Sequence, residues 1–490
     1  MMQTHSKYKL ISWLRKRNRQ RNKIILVLGF LLLLMTLVKL TAAQDGSLNK
    51  TLSPEEVISI VKQYHPVSRM ADINIDKAKA ELTIARGGFD PQLYSSNARK
   101  TFDGTDYYNY NRPELNIPTW FGVNISAGLE YLSGSRTDPQ ETAGKTSYFG
   151  LSVPLAKNLL MDKRRAALQT AKIYKEASLV EKKVMLNDLL RESMTSYWEW
   201  FLDYQVLNIL KEAVNINRQR VEFIKTSVRL GERPGIDTIE AIAQLQNFEL
   251  QFSQAELEFG NAGLALSAFL WTSDQQPYTL PGDIIPASLP AYQDWSIPSL
   301  DSLLQQARLN HPELRLYSYK LEALSVDKKL KFQEILPAIN FTYHQLGKGY
   351  DLLKTATGPL YENNFRYGFS AGIPLRFSAG RGEYKKAKLK ITEAETERNY
   401  KQLLVETKVR SYYNELLSLR QQLILQENNY KNYRLLLQGE ETRFKNGESS
   451  LFLVNARENK TLEGLQKLQE LRSKYFKTIN LLSWSAGQLL

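Results

Sequence analysis

The stretch RLGERPGIDTIEA, Arg229 to Ala241, interrupts the longest regular run in the chain. From Leu159 to Leu230 there is neither Gly nor Pro; then Gly231, Pro234 and Gly235 fall within five residues, and the helical periodicity resumes. Glycine just past the last periodic residue and proline shortly after are the signals of a helix end followed by a new start. A related stretch, RFKNGESSLFLVNARE (Arg443 to Glu458), places Gly447 216 residues beyond Gly231. The chain therefore builds two long helices, each of which turns once and returns. Residues 160–230 reach ~105 Å and 382–446 reach ~97 Å at 1.5 Å per residue. Return helices are expected at 237–270 and 449–482.

Working outward, the same order of motifs recurs. YHP at Tyr64–Pro66 matches NHP at Asn310–Pro312, FGLSVPLAKN (149–158) matches GFSAGIPLRF (368–377), and SYWEW (196–200) matches SYYNE (411–415). The offsets of 246, 220 and 215 exceed any solenoid period and point to a duplicated gene, an internal two-fold sequence repeat. A first repeat over 44–280 and a second over 299–485, with a linker at 281–298, are expected. Each half opens with a short helix and a second one after the Pro (67–86 and 312–334). Ser53 caps the first, and Pro54 occupies N1, where a missing N–H costs nothing. His65 and His311 mark helix–helix junctions, since no carboxylate or second His accompanies either as a metal ligand.

Long helices need a seam. Val405, Val409, Tyr412, Leu416, Leu419 and Leu423 step 4-3-4-3-4, and subtracting 215 gives Leu190, Met194, Tyr197, Phe201, Tyr204 and Asn208. The shared heptad register is that of a coiled coil; a core stripe in a long bundle has the same spacing. Leu462, Leu465, Leu468, Leu471 and Tyr475 mark an apolar face on the last helix.

Between the short and long helices, each half turns strand-like: 91–102, 119–131 and 146–155 in the first (strand region 91–155), 337–346 and 364–375 in the second (337–375). Their period-two alternation, rich in Tyr and Phe, fits either a membrane-spanning strand with two unlike faces or a soluble hairpin with one buried face.

The formal charge of +14 is concentrated at the front: residues 1–43 hold nine Lys/Arg and no acid, leaving 56 basic against 51 acidic residues thereafter. That balance is weak support for nucleic-acid binding. The basic segment, the apolar run Ile24–Val38 and the small residues before Gln44 read as a secretory signal peptide over 1–43, the run being shorter than the ~20 residues of a spanning helix. The chain has no cysteine, so a secreted form is held by packing or oligomerisation. With no 18-residue apolar run after residue 43, a membrane crossing requires a closed β-barrel. No P-loop, dinucleotide fingerprint, H-E-x-x-H or G-x-S-x-G motif is present, so neither an enzyme nor a cofactor site is expected. Asn124 and Asn340 head glycosylation sequons inside the strand regions.

Signal peptide, two matched halves, strands in each, then a long and a shorter helix: this pattern resembles the TolC-type outer-membrane efflux protein family over about 50–485. The repeated HP junctions, the S-V-P-L and G-I-P-L strand exits and the two glycine turns carry the resemblance. It implies a mainly α fold with a β-barrel portion: long antiparallel coiled-coil helices, and strands contributed to a trimeric barrel in the outer membrane of a Gram-negative bacterium. It further implies a homotrimer embedded in outer-membrane lipid, with no nucleic acid, acting as a passive duct for cargo. A periplasmic adaptor and an inner-membrane pump of RND or ABC type would deliver that cargo. A soluble periplasmic coiled-coil adaptor is the alternative. Because strands and helices must return to one side of the membrane, each half owes an even number of spanning strands; 91–102 and 146–155 are taken as the pair and 119–131 as an external excursion. The glycine turns become the periplasmic tip, with Gly231, Arg233, Asp237, Glu240, Gly447 and Glu448 as aperture residues. Asp237 and Glu240, six and nine past Gly231, have no acidic counterparts at Leu453 and Ala456. They form either a cation-attracting ring or ordinary first-turn helix charges. Arg233 and Glu448 are candidates for adaptor contact.

Overall fold

The computed structural model describes residues 51–138, 140–288, 296–351 and 363–489. The signal-peptide segment and the middle of the linker, 289–295, lie outside them. The chain divides into two units. The described part of the small one is Thr51–Leu52 (β1) and Asp283–Ile285; β1 and β6 (Ile285–Pro286) form a two-stranded sheet.

The large unit contains everything else. Its helices are α1 (Pro54–Tyr64), α2 (Pro66–Gly87), α3 (Lys163–Arg229), α4 (Ile236–Ser267), α5 (Leu300–Asn310), α6 (Pro312–Gln333), α7 (Ser378–Lys445) and α8 (Leu451–Ser485). Its strands are β2 (Gln92–Phe102), β3 (Thr105–Pro118), β4 (Asn124–Ser133), β5 (Gly144–Pro154), β7 (Ala338–Lys348) and β8 (Phe365–Gly372). α1 begins with a complete capping box: Ser53 Oγ accepts from Glu56 N–H, and the Glu56 carboxylate accepts from Ser53 N–H. His65 ends α1 and caps α2, its Nδ1 accepting from Val67 N–H at 3.2 Å. His311 joins α5 to α6 in the same place. Both histidines are helix junctions, as the sequence indicates.

α3 and α7, 67 and 68 residues long, each run ~100 Å. α4 packs on α3, α3 on α8, and α8 on α7, giving a lateral order α4–α3–α8–α7. The seam is as read on α7, where Val405, Val409, Leu416, Leu419 and Leu423 are buried. On α3, Leu190, Met194, Tyr197 and Phe201 are buried, but Asn208 is exposed. There the seam steps to Leu210, Ala213 and Val214, which pack on Phe248 and Ala255 of α4. Large aromatics fill the middle: Trp198 stacks on Phe476 at 5.3 Å and Trp200 on Phe259 at 6.1 Å. On α8, Leu468, Leu471 and Tyr475 are buried, and Leu462 and Leu465 half-buried.

All six long strands form one antiparallel sheet in the order β2-β3-β4-β5-β7-β8. This order corrects the strand assignment. The first half supplies four strands, not a pair; 91–102 and 146–155 are not neighbours, and 119–131 is no excursion but the turn into β4 and most of that strand. The missed element is β3, TDYYNYNRPELNIP. Its Asn, Asp and Pro are depleted in strands and break the alternation. Pro113, with no N–H to donate, sits where the β3–β4 pairing is interrupted between Asn111 and Glu114 without a change of register. The overlooked signal is Asp103-Gly104, both at positive φ (49° and 70°), the dipeptide of a two-residue hairpin turn. With four strands and two, each half still supplies an even number.

The register sorts the sheet into two faces. One carries Leu115 and Ile117, Ile125 and Leu129, Phe149 and Leu151, Phe341 and Tyr343, and Phe365, Tyr367 and Phe369; the other carries Arg112, Glu114, Ser126, Glu130, Thr342, His344 and Arg366. On the polar face Arg112 bonds Glu114 (2.9 Å), Glu130 (3.4 Å) and the Tyr148 hydroxyl (2.9 Å). Arg366 reaches Glu130 (3.6 Å) and Glu141 (3.1 Å). Tyr148 lies flat across Gly128, where an added Cβ would sit 2.4 Å from the tyrosine oxygen.

Candidate functional site at the helical tip

The two glycine turns share one backbone design. Gly231 (φ 76°) and Gly447 (φ 78°) are left-handed. Gly231 N–H donates to Val228 O and Glu232 N–H to Ser227 O; Gly447 N–H donates to Phe444 O and Glu448 N–H to Arg443 O. These are Schellman caps, which satisfy the last carbonyls of α3 and α7 and require glycine at the left-handed position. The two return helices start differently. Ser450 Oγ caps α8 through Leu453 N–H, whereas α4 starts at Gly235 with no side-chain cap.

The first tip is fastened to the second by Arg233. Its guanidinium lies 3.6 Å over the Phe444 ring, donates to the Phe444 carbonyl at 3.0 Å, and stands 3.7 Å from Asp237 Oδ2. A cation against the last carbonyls of α7 complements the negative end of that helix. Beneath it, Val221 and Ile224 of α3, Ala241 of α4, Phe444 of α7, and Leu451 and Val454 of α8 form one apolar cluster from all four helices.

The acids are engaged. Asp237 lies in the first turn of α4 beside Arg233, and Glu240 Oε1 accepts from Asn455 Nδ2 at 3.0 Å. Gln244 donates to Asn459 at 2.7 Å. Both pairs are 215 residues apart, the same separation as Ser196 and Ser411. Gly231, Gly447 and Glu448 are exposed at the extremity.

One constellation escaped the sequence reading. Arg220 of α3 forks onto Glu458 of α8 at 2.5 and 3.1 Å, donates to Asn217 Oδ1 at 3.0 Å, and comes within 3.6 Å of Glu441 on α7. The Arg220 and Glu458 side chains are 11% and 5% exposed. Its signal was present: the α3 seam continues as Asn217, Val221, Ile224, and a buried polar residue at a seam position needs partners from the facing helices. Among the described residues, no group of His, Asp and Glu could hold a metal ion, and no helix is long and apolar enough to cross a membrane.

The family model of outer membrane efflux proteins matches residues 303–483. Solved structures with the same fold include the Campylobacter jejuni CmeC outer membrane channel (16% identity, 89% of this chain and 86% of that one, TM-score 0.61). Another is the outer membrane protein VceC of Vibrio cholerae (15%, 89% and 96%, 0.61). A third is the open state of the Neisseria gonorrhoeae MtrE outer membrane channel (13%, 89% and 89%, 0.63). No curated protein sequence matches the chain. The resemblance to TolC-type outer-membrane efflux proteins stands on both comparisons.

Proposed function

From an outer membrane efflux match across the second half and a channel fold across nine-tenths of the chain, we propose that this protein is one subunit of an outer-membrane export duct. One observation carries the reading: the large unit is open at both lateral edges, in both of its layers. In the sheet, β2 and β8 each have a single strand partner among the described residues. An unpaired strand edge is a template for another chain. In the helical layer, α4 and α7 are the outer members, and each keeps an apolar stripe exposed: Leu250, Leu257 and Leu264 on α4, Leu403, Leu417 and Ile424 on α7. The stripes step by multiples of seven, as a coiled-coil seam does. Unlike edges that fit head to tail generate a ring when the rotation closes.

Closure by three copies brings eighteen strands into one barrel, a number that leaves an aqueous lumen rather than a packed core. The apolar, aromatic face then meets lipid and the Arg112–Glu130–Arg366 face lines the lumen. The two halves, with first-repeat strands at 91–155 and second-repeat strands at 337–375, serve as duplicated wall segments. The ~100 Å helices extend into the periplasm, and the tip turns ring the entrance. There Asp237 and Glu240 supply negative potential and the exposed Glu448 faces an adaptor, through which an RND or ABC-type pump passes cargo. No residue performs chemistry in such a duct.

The absence of native cysteine makes a clean test. A chain bearing both Leu93→Cys on β2 and Phe369→Cys on β8 should form an oxidation-dependent ladder that stops at a circular trimer in membranes. A monomer that shows no cross-link in the outer-membrane fraction would refute head-to-tail closure.

A further inference from the structure

Where the sheet hands over to the helices, charge is distributed unlike anywhere else after residue 43. The segments 157–172, 327–334 and 376–390 hold 14 basic residues against four acidic; everything else after residue 43 holds 42 basic against 47 acidic. The fourth junction, between α2 and β2, is balanced by Arg86 and Asp90. Three of the four acids are already paired within this level: Asp162 with Arg164 and Arg165, Glu334 with Lys157, and Glu383 with Lys331. Arg376, Arg381, Lys385, Lys386, Lys388 and Lys390 at the start of α7 are all exposed, and none makes an ion pair among the described residues.

Apolar surface lies beside this charge. Leu160 is 72% exposed and Leu375 95% exposed, both just past the ends of the strands that precede them. At Leu160 an open cleft of about 420 Å³ is lined by Leu160, Met161, Phe332, Gln333 and Tyr384 together with Lys328 and Lys329. An apolar cleft lined also by Lys328 and Lys329, which have no ion pair among the described residues, matches an amphiphile with a fatty tail and an anionic head.

We propose that this junction is a binding surface for anionic phospholipid, with the acyl chain in the cleft and the phosphate on Lys328 and Lys329. The proposal rests on the outer-membrane reading above. The lipid source is the periplasmic leaflet, whose headgroups lie level with the base of the barrel. Lysines close to an anionic surface each strengthen the attraction by roughly fivefold, so the belt also fixes the depth at which the sheet sits.

The test is native mass spectrometry of the full chain, purified in mild detergent and equilibrated with equal phosphatidylglycerol and phosphatidylcholine. The wild type should retain phosphatidylglycerol in preference by about fivefold or more. Lys328→Gln/Lys329→Gln should lose most of that preference, and Lys328→Arg/Lys329→Arg should keep it, which separates charge from folding. Equal retention of the two lipids by the wild type, or an undiminished preference in the Gln variant, overturns the proposal. The cell fraction is scored in the same preparation: protein absent from the outer membrane overturns the duct reading and this one with it. Protein present there without lipid preference overturns this one alone.

Discussion

Replacing Arg220 with Ala should loosen the tip without disturbing the sheet. Arg220 is the only cation bonded to Glu458 among the described residues, and both side chains are nearly inaccessible to water, at 11% and 5%. Its fork reaches both carboxylate oxygens, at 2.5 and 3.1 Å, and it also offsets Glu441 at 3.6 Å. Deleting one partner of a buried pair costs about 3–5 kcal/mol, chiefly because the remaining charge stays buried and uncompensated. Glu441 is 37% exposed and can turn to water, so the lower end, about 3 kcal/mol, is expected. That corresponds to roughly a 100-fold rise in the population of the locally opened tip. Hydrogen exchange read by mass spectrometry measures it. Peptides covering 214–232 and 451–462 should exchange about 100-fold faster, while 146–154 in β5 stays unchanged. Arg220→Met combined with Glu458→Met, which removes both charges, should recover most of the protection. A change below threefold in Arg220→Ala would show that this pair does not hold α3 to α8.

Gly231→Ala and Gly447→Ala should each destabilise the tip by about 1–2 kcal/mol, since both positions are left-handed while nothing lies within 4 Å of the added Cβ; thermal melts of the two variants should match. Burial beside Lys401 and Lys408, with Asp188 opposing, pushes His311 down to about 4 from 6.5. Its folded pKa being the lower one, its contribution is complete above pH 6.5 and lost as pH falls toward 4, amounting to ~3 kcal/mol. His311→Gln should flatten that segment of the stability–pH curve, and an unchanged slope would contradict the assignment. Asp237→Ala with Glu240→Ala should weaken cation preference in planar-bilayer recordings; unchanged selectivity would confine these acids to Arg233 and Asn455.

The helical layer was legible because one physical pattern repeats over long distances. Heptad spacing located the seam from Val405 to Leu423, and Gly231 and Gly447 marked both tips to within a residue or two. The seam was lost at Asn208, which is exposed, while burial on α3 continues through Leu210, Ala213 and Val214. The sheet was less legible. β2, β4, β5, β7 and β8 are legible as strands from their alternation; β3 carries Asn109, Asn111 and Pro113 on the face that is apolar in its neighbours, so it does not show the pattern. At the tip, Gly231, Asp237 and Glu240 were found as positions, but their partners were not. Arg233 reaches Phe444, 211 residues away, and Arg220 reaches Glu458 across 238. Pairings of that range arise only once four helices lie side by side.

If copies of this chain enclose a lumen through the outer membrane, the assembled protein must conduct ions. Single-channel recording of the detergent-purified protein in a planar lipid bilayer tests this most directly. Discrete, uniform conductance steps are expected from the trimeric fraction and none from the monomer. A trimeric fraction that inserts and conducts nothing, even in the Arg220→Ala variant with its tip loosened, would contradict the duct.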